Sequence, residues 1–491
     1  MAFIRKVKTS SGATAVQIAH KTHGKVVRIE HIGSAHSDED LKTLLALAKA
    51  RLIGSQLSLL PDTSSPLKIR QVQSVSKLLY DTLVELYFQL GFSELKDDVF
   101  TALCVARLVE PTSKLDSLRV LSDLGITGFT NTGIHRCLKR VIANDYRSRL
   151  SELCFAHAAT QAGGITLVLY DVTTLYFEVQ KEDDYRIPGM SKERRLEPQI
   201  IVGLLVDQTG FPLEVQSFEG NKAETKTILP VIKAFKKRHG LVGITVVADA
   251  GMLSADNLKQ LSDAGYGYIV GSRMHKIPYD IAQYQKTKEL TDNQIIAVKT
   301  SVRSQRIIYQ YKQKRAALDL RNIEKQIEKA EKIIAGQAPV KRAKFLSVTT
   351  EGKQVKGLNQ ALIDKALALA GIKGYVTNLP VSEANDQQVI AYYHQLWLVE
   401  QSFRMSKSDL KARPIFHRQK DAIEAHLTVV MSALAIARTV ERKTGMTIKK
   451  LVNMLRPIRT GLVTINGIAY LAEPEIPGET RTVLKRLGVG H

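Results

Sequence analysis

Two short apolar runs in this chain each lead directly into an aspartate. Residues 165–170 read ITLVLY and precede Asp171, and residues 243–248 read GITVVA and precede Asp249. Such runs favour buried strands, where a carboxylate is costly unless it is paired or bound to a metal ion. We therefore predict two core strands, each of which presents a functional acid at its end.

A third candidate acid lies in a helical pattern near the C-terminus. Tyr393, Glu400 and Lys407 are spaced by seven residues, which is nearly two helical turns, so we predict that they share one face of one helix. Mg²⁺ prefers oxygen ligands, and two such ions roughly 3.5–4 Å apart can promote phosphoryl transfer. In this hypothesis Asp171 bridges the ions, and Asp249 and Glu400 each complete one side.

Alternative explanations exist for single acids. Glu400 can pair with Arg404 four residues later, and Asp249 can cap the loop before Gly251. Asp171 has no obvious partner nearby in the sequence.

The order of predicted elements indicates an α/β fold. Three consecutive strands are followed by helix, strand, helix and strand, over residues 165–178, 200–207, 213–218, 224–239, 243–248, 254–264 and 266–271. This order is the one expected for a ribonuclease-H-like layer, in which the first and fourth strands end close together.

The remaining patterns suggest further domains. We predict a small β/α module at 1–60 with a helix at 38–52 capped by Ser37, a helical and DNA-binding region at 61–163, a catalytic domain at 164–273 plus 374–445, an insertion domain at 274–373, and a C-terminal tail at 446–491.

The chain is strongly basic. Its 491 residues include 70 Lys and Arg against 48 Asp and Glu, a net charge of +22. This excess favours a nucleic-acid partner over an anionic membrane surface, and over a basic surface that only keeps the protein soluble. The predicted helix at 131–142 carries His135, Arg136, Lys139 and Arg140 on one side. It fits a recognition helix, but a bundle helix with a solvated basic face explains it equally well.

Cysteine content and the N-terminus predict a cytosolic protein. The three cysteines, Cys104, Cys137 and Cys154, have no CxxC spacing and provide neither a disulfide framework nor a zinc site. The start MAFIRKVKTS lacks the apolar core of a signal peptide. The apolar run at 427–437 is too short to span a bilayer, so no membrane anchor is expected.

Five segments resemble the Asp-Asp-Glu transposases of bacterial insertion sequences. They are YDVTTLYFE (170–178), GMSKERR (189–195), IIVGLLVDQTGFPLEVQSFEGNKAET (200–225), VVADAGM (246–252) and YHQLWLVEQSFRMSKSDLKARPIFH (393–417). The pattern is similar to the IS-four superfamily, in particular its sixteen-thirty-four-like branch. Leu396 stands where that family has arginine, so this contact is not carried over, and we expect Leu396→Arg to leave activity intact or raise it.

The resemblance implies a ribonuclease-H-like catalytic domain with an insertion before the glutamate, and cut-and-paste DNA strand transfer that depends on Mg²⁺ or Mn²⁺. It implies that Asp171, Asp249 and Glu400 bind two metal ions and act as catalytic residues, and that Tyr393 and Lys407 contact DNA. Further DNA-contact candidates, chosen by charge, are Arg404, Arg136, Lys139 and Arg140.

The expected partners are double-stranded DNA, as terminal inverted repeats and as target, and a second copy of the chain, because pairing two DNA ends requires at least a dimer. Two other functions stay open: a metal-dependent nuclease without strand transfer, and a DNA-binding repressor with a decayed catalytic site. Retention of all three acids argues against decay, and a purely structural role does not explain Asp171.

Overall fold

A computed structural model of the chain describes residues 2–9, 12–22, 25–35, 37–53, 69–162, 164–178, 182–189, 197–241, 243–252, 254–272, 274, 277–299, 305–339, 343–348, 355–465 and 468–490. Most of the GMSKERR segment lies outside these residues. By internal contacts the chain divides into two compact units. The first comprises Met1–His157, Leu175–Lys181 and Arg404–His491, and the second comprises Ala158–Thr174 and Glu182–Phe403.

The first unit begins with a three-stranded antiparallel sheet and a helix. The elements are β1 (Ala2–Lys8), β2 (Thr14–Thr22), β3 (Lys25–Ala35) and α1 (Asp38–Ile53). Val16, Ile18 and Ala48 join sheet and helix in one small core. The Ser37 hydroxyl accepts a hydrogen bond from the amide of Asp40, so the predicted sheet, helix and cap are confirmed.

A helical region follows, which belongs to the same unit as far as His157. Its elements are β4 (Ile69–Val75), α2 (Lys77–Gln89), α3 (Asp98–Val109), α4 (Ser117–Asp123), α5 (Asn131–Ala143) and α6 (Tyr146–Ala162). Helix α5 is the predicted basic amphipathic helix. Its apolar face, with Ile134 and Leu138, is buried, whereas Arg136 and Lys139 are exposed, so both readings of this helix stay open.

The second unit is built around a mixed sheet. The elements from its first half are β5 (Leu167–Tyr176), β6 (Gln199–Val206), β7 (Pro212–Glu219), α7 (Ile228–His239), β8 (Thr245–Ala248), α8 (Ala255–Asp263) and β9 (Gly267–Gly271). The predicted succession of strands and helices is confirmed. β6 and β7 are antiparallel, and β5, β8 and β9 run parallel.

The predicted insertion contributes to this same sheet. Its elements are α9 (Tyr279–Thr287), β10 (Ile295–Lys299), β11 (Arg306–Tyr311), α10 (Gln313–Ile334), β12 (Leu346–Val348), β13 (Val355–Leu358) and α11 (Gln360–Ala368), followed by β14 (Ile372–Thr377). The strand order is β10-β11-β14-β9-β8-β5-β6-β7. α10 and α11 form a separate small core with Ile323, Ala330, Phe345 and Ile363.

The C-terminal part is mostly helical and contributes two strands to another small sheet before its last helix. Its elements are α12 (Asp386–His394), α13 (Trp397–Ser408), α14 (Lys420–Thr444), α15 (Ile448–Leu455), β15 (Thr460–Ile465), β16 (Ile468–Ala472) and α16 (Gly478–Leu487). The tail, which had no interpretable pattern, pairs β15 with both β16 and the distant β4.

Helix α14 is the central helix of the first unit and packs against α3, α5 and α16. By length and composition it is the one helix in the described ranges that could cross a membrane, yet 94% of its most apolar stretch is buried in the protein. The apolar run at 427–437 therefore serves a core helix.

Candidate functional site

Asp171 and Asp249 each come directly after the last paired residue of two neighbouring parallel strands. β5 and β8 pair in parallel, and their last pair is Tyr170 with Ala248, so each aspartate follows one residue later. Neighbouring strands are about 4.8 Å apart, and residues in the same register point to the same face. The structure thus brings together two acids that are far apart in the sequence.

Asp171 does not end its strand, although the apolar run at 165–170 suggested so; the predicted strand at 165–178 is confirmed. β5 continues to Tyr176, beyond its last pair with β8 at Tyr170, and β6 lies on its other side. Asp171 is half-buried, and its Oδ1 accepts a hydrogen bond from the amide of Val172 at 2.8 Å. It therefore projects from a continuous strand, which limits its motion more than a loop would.

Asp249 follows the end of β8 and is exposed, but two groups hold its carboxylate. The amide of Ala250 and the hydroxyl of Tyr393 each donate to Oδ1 at 2.8 Å. Tyr393 is only 5% exposed, and burial raises the pKa of its hydroxyl, an effect that nearby Asp249 increases. A Cβ on Gly271 would lie 2.8 Å from this hydroxyl, so the glycine leaves the space that the tyrosine needs.

The prediction of one helix carrying Tyr393, Glu400 and Lys407 is wrong. α12 ends at His394 and α13 begins at Trp397, with Leu396 between them. Here the backbone tightens to three-residue hydrogen bonds, including one from the amide of Leu396 to the carbonyl of Tyr393 at 3.2 Å. Leu396 is only 9% exposed, so the apolar side chain anchors the turn.

Glu400 projects from the exposed side of α13. The opposite side is buried through Val399 and Phe403, and the hydroxyl of Ser402 donates to the carbonyl of Gly210 at 2.9 Å. These contacts set the position of α13 next to the turn between β6 and β7. Glu400 is therefore carried by a well-anchored helix although its own side chain faces solvent.

Sequence reasoning missed a lysine in this region. Lys373, at the start of β14, places its Nζ 4.3 Å from the ring centroid of Tyr393. Burial lowers the pKa of its ammonium, nearby Arg315 lowers it further, and Asp249 and Glu400 act in the opposite direction. The charges of both acids thus affect the pKa of Lys373. No local motif points to this lysine, and only the pairing of β14 with β9 shows that it lies near the site.

The two aspartates fit a divalent ion. Mg²⁺ is commonly held by one or two carboxylates together with waters and substrate phosphates, so adjacent carboxylates from parallel strands supply a suitable pair. Over the ranges that the structure describes, no group of three or more His, Cys, Asp or Glu side chains is arranged to hold an ion. Glu400 therefore does not complete a three-acid cluster by itself.

The candidate DNA-contacting residues occupy different local environments. Tyr393 is buried and bonded to Asp249, Arg404 is exposed, and Lys407 is half-buried on α13. Of the basic residues on α5, Arg140 pairs with the buried carboxylate of Asp97 at 2.8 Å. Part of its charge is thus already compensated, in contrast to the exposed Arg136 and Lys139.

Comparisons with known proteins identify the family of the chain. One solved structure similar to the chain is a piggyBac transposase synaptic complex with hairpin DNA, at 11% identity and a TM-score of 0.39, covering 80% of this chain and 82% of the other. This likeness is too weak to carry a functional argument. No curated protein matches the chain. The family model described as Transposase DDE domain matches residues 162–436, more than half of the sequence, and all three candidate acids lie in that range. The chain therefore belongs to the DDE transposase family.

Proposed function

We propose that this protein cleaves the ends of its own insertion sequence and joins them to target DNA by metal-dependent phosphoryl transfer. Within the family, we assign it to the IS-four superfamily and its sixteen-thirty-four-like branch, on the motifs that end at His417. The observation that carries the proposal is that Asp171 and Asp249 directly follow Tyr170 and Ala248, the last pair of the parallel strands β5 and β8.

We propose a ribonuclease-H-like catalytic layer. Taken in chain order, β5 to β9 lie in the sheet as third, second, first, fourth and fifth strand, with the first three consecutive and the last two reached through helices. This arrangement supports the assignment, since it puts β5 and β8, the strands that precede or carry the two aspartates, next to each other in the sheet. Residues 164–273 and 374–445 are the proposed catalytic domain, and 274–373 is the proposed insertion.

The proposed cofactor is Mg²⁺ or Mn²⁺, as two ions. Asp171 and Asp249 hold them on the sheet side, and Glu400 completes the set from α13 when metal and DNA are bound. When present, the ions activate the attacking oxygen and neutralise charge on the leaving oxygen. The carboxylate donors, all hard oxygen ligands, support this choice over zinc.

The protein's own residues orient these groups. Tyr393 donates to Oδ1 of Asp249 and leaves its Oδ2 for the ion, as supporting residues of metal sites commonly do. Lys407 and Arg404 on α13 are proposed phosphate contacts. Arg136, Lys139 and Arg140 on α5 are proposed contacts to the terminal repeats, with Arg140 contributing least because it pairs with Asp97.

The proposed partners are double-stranded DNA, as terminal inverted repeats and as target, and a second copy of the chain in the synaptic complex. The net charge of +22 supports the first partner. The need to hold two ends together supports the second. We propose that the protein acts in the cytosol, where bacterial DNA is found.

The decisive experiment incubates the protein with Mg²⁺ and a DNA fragment that bears the ends of its element, and maps cut and joined strands. We expect cleavage at the ends followed by joining, in the wild type and in the control Glu324→Gln, an exposed acid on α10. Cleavage without joining would identify a nuclease. Binding without cleavage would identify a repressor with a decayed site.

A further inference from the structure

Lys373 lies along the same edge of the sheet as the two aspartates. The parallel strands β5 and β8 end near Asp171 and Asp249, and β9, next to β8, ends at Gly271. β14 is antiparallel to β9, so its beginning, at Ile372 and Lys373, lies where β9 ends. Antiparallel pairing thus brings a lysine from beyond the insertion to the acidic edge.

Aromatic rings hold the lysine in place. Its Nζ lies 4.3 Å from the ring centroid of Tyr393 and 5.9 Å from that of Tyr375. The two rings pack edge to face with centroids 5.0 Å apart. An ammonium over an aromatic face is stabilised by the ring electrons, so Lys373 is seated rather than free in solvent.

The same tyrosine connects the lysine to the acid. Tyr393 receives the ammonium on its face and donates its hydroxyl to Asp249 at 2.8 Å. The negative charges of Asp249 and Glu400 both favour the charged form of Lys373, against the larger effect of burial on its pKa. The contacts through Tyr393 therefore bring the charge of Lys373 to Asp249.

We infer that Lys373 is a built-in counter-cation of Asp249, a positioning residue that steadies this carboxylate through Tyr393 at the acidic edge of the sheet until a metal ion replaces its charge. The inference rests on the proposed function, because it takes Asp249 as a metal ligand. The positive charge offsets part of the repulsion between Asp249 and Asp171 when no metal ion is bound, since like charges repel each other. The same charge also repels an arriving metal ion.

The first test measures coupling without metal. Thermal unfolding in excess EDTA is compared for the wild type, Lys373→Met, Asp249→Asn and the double variant. We expect the Tm shifts to be non-additive by roughly 1–3 °C, with the lysine substitution costing more when Asp249 is charged. Lys373→Met alone does not decide, since replacing a partly buried charge by an apolar group can itself stabilise.

Lys329 on α10 provides the matched control because it is exposed. Combined with Asp249→Asn, Lys329→Met is expected to give additive shifts. Additive shifts for the Lys373 pair as well would overturn the inference. If Lys373→Met does not fold, Lys373→Gln takes its place in the same cycle.

The second test measures Mn²⁺ binding by electron paramagnetic resonance, with no DNA and no activity required. We expect Lys373→Met to bind Mn²⁺ roughly three- to tenfold more tightly than the wild type, and Lys373→Arg to bind like the wild type. Unchanged or weaker binding by folded Lys373→Met would overturn the inference. A wild type that binds no Mn²⁺ would instead refute the proposed metal site, and the metal-free cycle would still decide the role of Lys373.

Discussion

The hydroxyl of Tyr393 donates a 2.8 Å hydrogen bond to Oδ1 of Asp249, across 144 positions of sequence. Tyr393 belongs to α12, whereas Asp249 follows the end of β8. The bond therefore ties the helical segment that precedes Glu400 to the edge of the sheet. Tyr393, which the family pattern suggested as a DNA contact, therefore orients the carboxylate of Asp249.

Tyr393→Phe is predicted to lower the cleavage rate roughly 10- to 100-fold while end binding stays the same, because the ring keeps its packing and only the hydrogen bond to Asp249 is lost. Single-turnover cleavage and gel-shift assays measure the two effects. Tyr392→Phe on the same helix is the control and is expected to behave like the wild type. A Tyr393→Phe protein that cleaves normally would show that Asp249 needs no such support.

Asp171→Ala, Asp249→Ala and Glu400→Ala are each predicted to reduce cleavage by at least roughly a hundredfold without loss of DNA binding, since they remove proposed metal ligands and not phosphate contacts. The assay is strand mapping in Mg²⁺, with Glu324→Gln as the control acid. Normal cleavage in any one of the three variants would remove that residue from the site.

Leu396→Arg is predicted to destabilise the protein by roughly 2–4 kcal/mol, because position 396 is buried at the turn between α12 and α13 and a guanidinium there loses hydration. This reverses the expectation from the family pattern, in which arginine would be neutral or beneficial. Chemical denaturation measures the change, with Leu396→Met as a volume-conserving control. A fully stable Leu396→Arg protein would mean that the turn can open to solvent.

Lys407→Ala is predicted to weaken end binding and to reduce the slope of log affinity against log salt by about 0.9, the value for one lost phosphate contact. Titrations at several salt concentrations give the slope. Lys449→Ala, an exposed lysine on α15, is expected to leave it unchanged. The same slope in wild type and Lys407→Ala would exclude a phosphate contact by this lysine.

Acid is predicted to destabilise the first unit through His417. Burial lowers the pKa of His417 to about 4, and nearby Lys114, Arg107 and His135 contribute. The unfolded value is about 6.5, so above that pH the group is neutral in both states and has no effect. As the pH falls from 6.5 to 4, only the unfolded chain takes up the proton, and stability falls by up to roughly 3 kcal/mol.

Urea denaturation at pH 7 and pH 5 tests this dependence. His417→Gln is expected to lose less stability between these values than the wild type, because it removes one group that titrates on unfolding. An equal loss in both proteins would assign the acid sensitivity to other groups. His426, which packs against His417 with ring centroids 5.5 Å apart and is fully buried, is the next candidate.

Local patterns predicted most elements of the fold. Alternating and β-branched runs marked β5 to β9, and the periodicity of 131–142 marked α5, because burial of one face is encoded by residues close in sequence. The small sheet of β4, β15 and β16 escaped prediction. The pairs between β4 and β15 join residues nearly 400 positions apart, and no local pattern specifies such a partner.

By itself, the sequence determined which side chains this protein can use for chemistry: Asp171 and Asp249 next to apolar strands, Glu400 on a helix, and a large excess of basic residues. The tertiary structure alone decided their arrangement: the position of the aspartates directly after the last pair of β5 and β8, the break at Leu396, the bond from Tyr393 and the place of Lys373. The reason is physical, since strand pairing and side-chain packing are contacts between distant segments, and their geometry follows from the whole fold and not from the order of neighbouring residues.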